Sequence, residues 1–168
     1  MAEYRVTESI NFENKDIIWR NFSGKAGKFN AEGQRSFNVI LNEDEFLTLQ
    51  ADGWNVRVIM PKPDQDPDTP PLYILPVKVS FGKRPPVIQV IGNGRRQALT
   101  EETVNMLDWT EIKPAGCDIT VNPYNYDVMG KQGVSAYLKA MYVNIVEDHF
   151  AAKYADVPTS AMDALMGE

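Results

Sequence analysis

Several things are scarce in this 168-residue sequence, and each scarcity excludes a class of chemistry. It has one cysteine, Cys117, so no intrachain disulfide can form, and no CxxC or Cys/His cluster offers zinc a site. It has one histidine, His149, which leaves a Ser/His/Asp triad or a His-built metal centre without its parts. No apolar run approaches the roughly 20 residues that cross a bilayer. The opening Met-Ala-Glu-Tyr-Arg has no apolar segment of the signal-peptide kind. The expectation is a soluble protein of a reducing compartment, with no cofactor, no metal and no membrane partner.

Two glycine motifs also fall short. Gly92-Asn93-Gly94-Arg95-Arg96 follows a strand-like run, but Gln97 stands where a dinucleotide fingerprint needs its third glycine. Around Gly27-Lys28, Phe22 and Phe29 occupy the first-glycine and Ser/Thr places of a P-loop. Acids such as Glu111, Asp118 and Asp127 show no spacing that sets a catalytic pair apart from ordinary surface charge. No enzyme activity is expected.

What is present is a 43% hydrophobic composition, enough for one folded domain, and a segregated charge distribution. The net charge is −6, yet residues 15–35 carry five bases and two acids, and residues 78–96 carry five bases and no acid. Residues 42–68 carry seven acids and two bases; residues 147–168 carry five acids and one base. Such segregation can place a basic face on an acidic molecule.

The most informative stretch is Ile17–Leu41. Two β-type runs, Ile17–Phe22 and Arg35–Leu41, flank a loop containing Gly24, Gly27 and Gly33, which reads as a hairpin. Bases and rings interleave along it: Trp19, Arg20, Phe22, Lys25, Lys28, Phe29 and Arg35. Cations beside flat rings are what a single-stranded nucleic acid requires, charge for phosphates and π faces for bases. The plainer reading is a surface hairpin whose rings are partly core.

Further along, Asn42 reads as a helix N-cap, with Glu45 placed for a capping box and Gly53 as a stop. A strand is expected over Trp54–Met60, a proline-rich loop over Pro61–Pro71, and a strand over Leu72–Phe81, where Pro76 suggests an edge or bulge. A first strand is expected within Tyr4–Asn14, and a second helix capped by Thr100. Asp118–Val128 and Val134–Val146 alternate as a closing hairpin that presents Tyr124, Tyr126, Lys131, Tyr137 and Lys139 as a second stacking platform. Lys78 and Arg84 add phosphate contacts from the basic middle of the chain.

This order predicts a mainly β fold with two short helices, an OB-like five-stranded antiparallel barrel with an extended hairpin. The domain would occupy residues 1–150, followed by an acidic, apolar tail over residues 151–168.

Particular strings add to this reading: Arg20-Asn21-Phe22-Ser23-Gly24, Asn30-Ala31-Glu32-Gly33-Gln34-Arg35-Ser36-Phe37, Asp52-Gly53-Trp54-Asn55-Val56, Met106-Leu107-Asp108-Trp109 and Tyr137-Leu138-Lys139-Ala140-Met141-Tyr142-Val143. In them the chain resembles single-stranded-DNA-binding proteins of tailed bacteriophages, over about Ile17 to Pro158. The resemblance implies an OB-like barrel, no enzyme activity, and sequence-tolerant single-stranded DNA binding in phage replication or recombination, inside the bacterial host. Proteins of this class often recruit replication or recombination partners through a longer acidic tail, and self-association is open. A different reading is a non-enzymatic interaction module, a phage factor that binds a host protein through the acidic span and the tail.

Overall fold

The computed structural model describes residues 6–27, 31–82, 84–92 and 94–146. Over these residues the strands are β1 (Ile10–Lys15), β2 (Ile17–Asn21), β3 (Arg35–Leu41), β4 (Arg57–Ile59), β5 (Leu72–Val79), β6 (Val87–Gly92), β7 (Arg95–Leu99), β8 (Ile112–Val128) and β9 (Lys131–Ile145). One α-helix, α1 (Glu43–Ala51), lies between β3 and β4, and a short 3-10 helix (Val104–Asp108) lies between β7 and β8.

The strands form one nine-stranded mixed sheet. Its main path runs β1-β8-β9-β5-β3-β2, with β4 on β5, and β6 joined to both β7 and β9. The two ends of this path, β1 and β2, are consecutive in the chain with only Asp16 between them. Pairing is antiparallel except where β9 meets β5 and β6.

The mainly β class and both hairpins appear where residue alternation places them. Phe37, Val39 and Leu41 of β3 face the core, as do Leu75, Val77 and Val79 of β5. The cap at Asn42 also forms as expected: its Oδ1 accepts from the Glu45 amide at 2.7 Å, and Glu45 Oε1 accepts from the Asn42 amide at 2.9 Å. The same carboxylate pairs with Lys15, which ties α1 to β1. Phe46 packs from the helix against the Tyr73 ring at 4.7 Å.

Other expectations are corrected. There are nine strands rather than five among the described residues, and they join one mixed sheet. The helix expected from Thr100 is a single 3-10 segment that starts at Val104, and the Thr100 amide donates to Thr103 Oγ1 instead. A 3-10 turn suffices there because it buries Val104 and Leu107, three residues apart on one side. Of Trp54–Met60 only Arg57–Ile59 is strand. Gly53 turns at φ +93° before it, and Trp54 is buried in a bridge to Val134. Among the described residues the first strand begins at Ile10.

Pro76 is in an interior strand. It pairs with Asn38 on one side, and on the other it falls between Leu72–Ile74, paired with β4, and Val77–Lys78, paired with β9.

Strict alternation along β9 also fails, at one point. Leu138 pairs with Val121 and Ala140 with Thr120, so Lys139 is an extra residue, a bulge. A one-residue shift exchanges the two faces of a strand. Met141 and Val143 consequently join Ala136 and Leu138 in the core. The bulge lies where β9 changes its parallel partner from β5 to β6.

Candidate nucleic-acid interface

Residues paired directly across adjacent strands lie on the same face of a sheet. Four successive pairings, Asn122 with Tyr137, Tyr137 with Lys78, Lys78 with Ser36 and Ser36 with Asn21, therefore define a single row across β8, β9, β5, β3 and β2. None of the five residues belongs to the core. At about 4.8 Å per strand spacing the row spans about 19 Å.

Aromatic and basic side chains gather at its β8–β9 end. Tyr124, two residues along the same face from Asn122, is 57% exposed. Its ring meets Tyr137 edge-on, centroids 5.7 Å apart at 64°. Lys78 Nζ stands 5.7 Å from the Tyr137 centroid. Lys139 is exposed at the bulge beside them, and Arg84 is exposed in the connection between β5 and β6. The ends of that connection pair with Lys78's partner Tyr137 on one side of the bulge and with Ala140 on the other. Lys131 is exposed farther out, at the hairpin tip opposite Val128.

The structure separates the remaining sequence candidates by what each side chain touches. Trp19 is exposed, in a bulge of β2. Phe22 is fully buried and stacks on Phe37 at 5.2 Å, so it is a core ring with no face for a base, which corrects its reading as a stacker. Arg20 turns toward the 3-10 helix: its Nη1 donates to the carbonyls of Leu107 and Thr110 at 2.8 and 2.7 Å. Arg35 is engaged as well. Its Nε donates to the Phe22 carbonyl at 2.9 Å, its Nη1 lies 3.7 Å from Glu101, and its guanidinium covers the Phe81 ring at 5.3 Å. These two arginines hold the hairpin in place instead of displaying charge. Lys25 is exposed, its amide donating to Asn21 Oδ1 at 2.9 Å. Tyr126 is half-buried and donates from its hydroxyl to Asn55 Oδ1 at 3.1 Å, which anchors the β8–β9 hairpin to the chain after α1. Lys28, Phe29, His149 and the tail over residues 151–168 lie outside the described residues.

Sequence reasoning passed over Asn21 and Ser36 of the row, and Trp109. The first two become visible only through strand register. Trp109 is 71% exposed and follows Asp108, whose carboxylate accepts from the Phe22 amide, the Ser23 amide and the Ser23 hydroxyl at 2.5, 3.0 and 2.6 Å. A tryptophan directly after an acid at a helix end is the signal that could have drawn attention to it.

The rest of the described surface offers little catalytic chemistry. No group of three or more His, Cys, Asp or Glu side chains among the described residues could hold a metal ion. A groove of about 460 Å³ between β1 and α1 is lined by Asp44, Glu45 and Asp52 besides Ile10, Phe12 and Leu49. Three carboxylates make it the wrong charge for phosphates. Burial, with Asp16 and Asp118 nearby, pushes the Cys117 thiol up to about 12, so it is an inert core group.

The family model described as "Putative phage ssDNA-binding domain" matches residues 1–168. No curated protein matches the chain. Among solved structures it is similar to the single-stranded DNA-binding protein of bacteriophage Enc34 in a C-terminal truncation, at 12% identity over 83% of this chain and 87% of that one, with a TM-score of 0.49. The complex of that phage protein with single-stranded DNA matches at 10% identity over 83% and 88%, TM-score 0.47. A further structure of the phage protein matches at 13% identity over 92% and 89%, TM-score 0.46. These likenesses are too loose to place any side chain. The family match is of another kind, since it spans the whole length, and by it the chain belongs to the phage single-stranded-DNA-binding domain family.

Proposed function

We infer that this protein binds single-stranded DNA with little sequence preference and serves phage DNA replication or recombination in the cytoplasm of the bacterial host. The observation that carries the reading is the five-strand row with Tyr124, Tyr137, Lys78 and Lys139 at one end. It sets π faces and ammonium groups side by side on one open face, and base stacking with phosphate neutralisation is the sequence-tolerant way to hold a single strand. No catalytic step is assigned.

The architecture is read as an OB-like barrel with added strands, since a path whose two end strands are consecutive in the chain returns on itself. Residues 1–150 would form this domain and residues 151–168 an acidic tail that recruits replication or recombination proteins; self-association would extend the bound strand's cover.

The test is fluorescence anisotropy of a labelled single-stranded oligonucleotide at low and high salt, with duplex of the same sequence as competitor. Binding should weaken steeply with salt, because phosphate contacts release counterions, at about 0.7 in log–log slope per contact on a single strand. Equal affinity at both salts, or ready competition by duplex, would overturn the reading.

A further inference from the structure

We propose that Trp19 and Trp109 form a second stacking site for nucleobases at the β2 end of the row, a proposal that rests on the single-stranded DNA reading. The two tryptophans come from distant parts of the chain, and two charged side chains next to them, Arg20 and Asp108, clasp those two segments to each other. Arg20, next to Trp19, donates to the carbonyls of Leu107 and Thr110. Asp108, next to Trp109, accepts from the backbone amides of Phe22 and Ser23. Trp109 thus stands between the two clasp points, residues 108 and 110, and Trp19 adjoins the arginine that reaches them.

The clasp residues turn inward and the rings turn outward. Trp19 is 59% exposed and Trp109 71%, whereas the third tryptophan, Trp54, is 3% exposed. The backbone at Trp19 is unusual too. Ile18 pairs with Asn38 and Asn21 with Ser36, so β2 holds one residue more than β3 there. Trp19 takes φ +51° within this bulge, a left-handed conformation that is unfavourable for an aromatic residue. Held strain of this kind is a feature of ligand-contacting positions. Here it lets Arg20 face the 3-10 helix while the indole next to it faces water.

The occupant follows from charge and from continuity. The Arg20 and Asp108 charges are both engaged within the protein, so what the two tryptophans themselves present to solvent is π faces. Such a surface suits a base. Asn21, the last residue of the row, lies two positions after Trp19, so the row ends within two residues of this tryptophan in the chain. A protein partner would need a contiguous apolar patch. Besides Ile18, the residues near these rings in the chain are polar: Asn21, Ser23, Thr110 and Glu111.

Tryptophan fluorescence tests the proposal, with an oligothymidylate as probe and Trp19→Phe, Trp109→Phe and the double variant as proteins. Each exposed tryptophan should be quenched on binding, and in the double variant buried Trp54 should show no change. Trp109→Ala should weaken binding about five- to hundredfold, the range of one lost base–aromatic stack. Its salt slope should match the unaltered protein, since no phosphate contact is removed. Anisotropy that shows binding while Trp109 stays unquenched and Trp109→Ala keeps full affinity would overturn this site and leave the single-stranded DNA reading standing. Absence of binding by the unaltered protein at low salt would overturn both.

Discussion

The ammonium of Lys78 stands 5.7 Å from the centre of the Tyr137 ring, across a parallel pairing of β5 with β9. An exposed cation over a ring contributes about 0.5–1 kcal/mol. The larger consequence is positional. A base stacked on Tyr137 would have its phosphate within reach of the charge that the ring itself helps to hold.

The two side chains of that pair should fail differently. Tyr137→Ala should weaken oligonucleotide binding by about 1–3 kcal/mol at every salt concentration, the loss of one stack. Lys78→Ala should reduce the steepness of log affinity against log salt by about 0.7, the share of one phosphate on a single strand. Anisotropy titrations over a salt series separate the two effects, and a slope unchanged by Lys78→Ala would remove this lysine from the contact set.

Phe22 lies in the same interleaved stretch as Trp19 but belongs to the core, stacked on Phe37. Phe22→Ala should destabilise the fold by about 3–5 kcal/mol, the usual range for an aromatic core truncation. Trp19→Ala, at an exposed position, should leave stability within about 0.5 kcal/mol. Denaturant unfolding measures both. A Phe22→Ala variant with an unchanged midpoint and impaired DNA binding would reverse the assignment.

Cys117 gives a pH prediction. Its thiol is raised from 9.0 to about 12 in the folded protein, chiefly by burial and then by Asp16. Folding favours the protonated form, so its contribution to stability is complete below the unfolded value. That contribution falls as pH climbs from about 9 toward about 12. Native protein should resist thiol reagents at pH 8, and Cys117→Ala should flatten the alkaline fall in unfolding free energy relative to the unaltered chain. Rapid labelling of the folded protein at pH 8 would show the thiol to be accessible.

Short-range patterns carried much of this architecture in the sequence itself. The alternation over Arg35–Leu41 names the buried face of β3, and the Asn42–Glu45 capping box marks the start of α1, because each depends on neighbours within a few residues. Likeness to the phage family over about Ile17 to Pro158 was likewise legible from the five strings quoted above. Tertiary pairing decided the rest. Whether Phe22 or Trp19 meets solvent turns on one extra residue in β2, and whether Met141 lies inside turns on Lys139 in β9. A bulge leaves no mark on local composition, yet it exchanges the faces of everything beyond it. Arg20 and Arg35 resembled phosphate ligands until their carbonyl, ring and carboxylate partners were in place. The charge and the rings were set by the sequence alone. Which of them face outward together was set by register, a long-range property that closes only when distant strands meet.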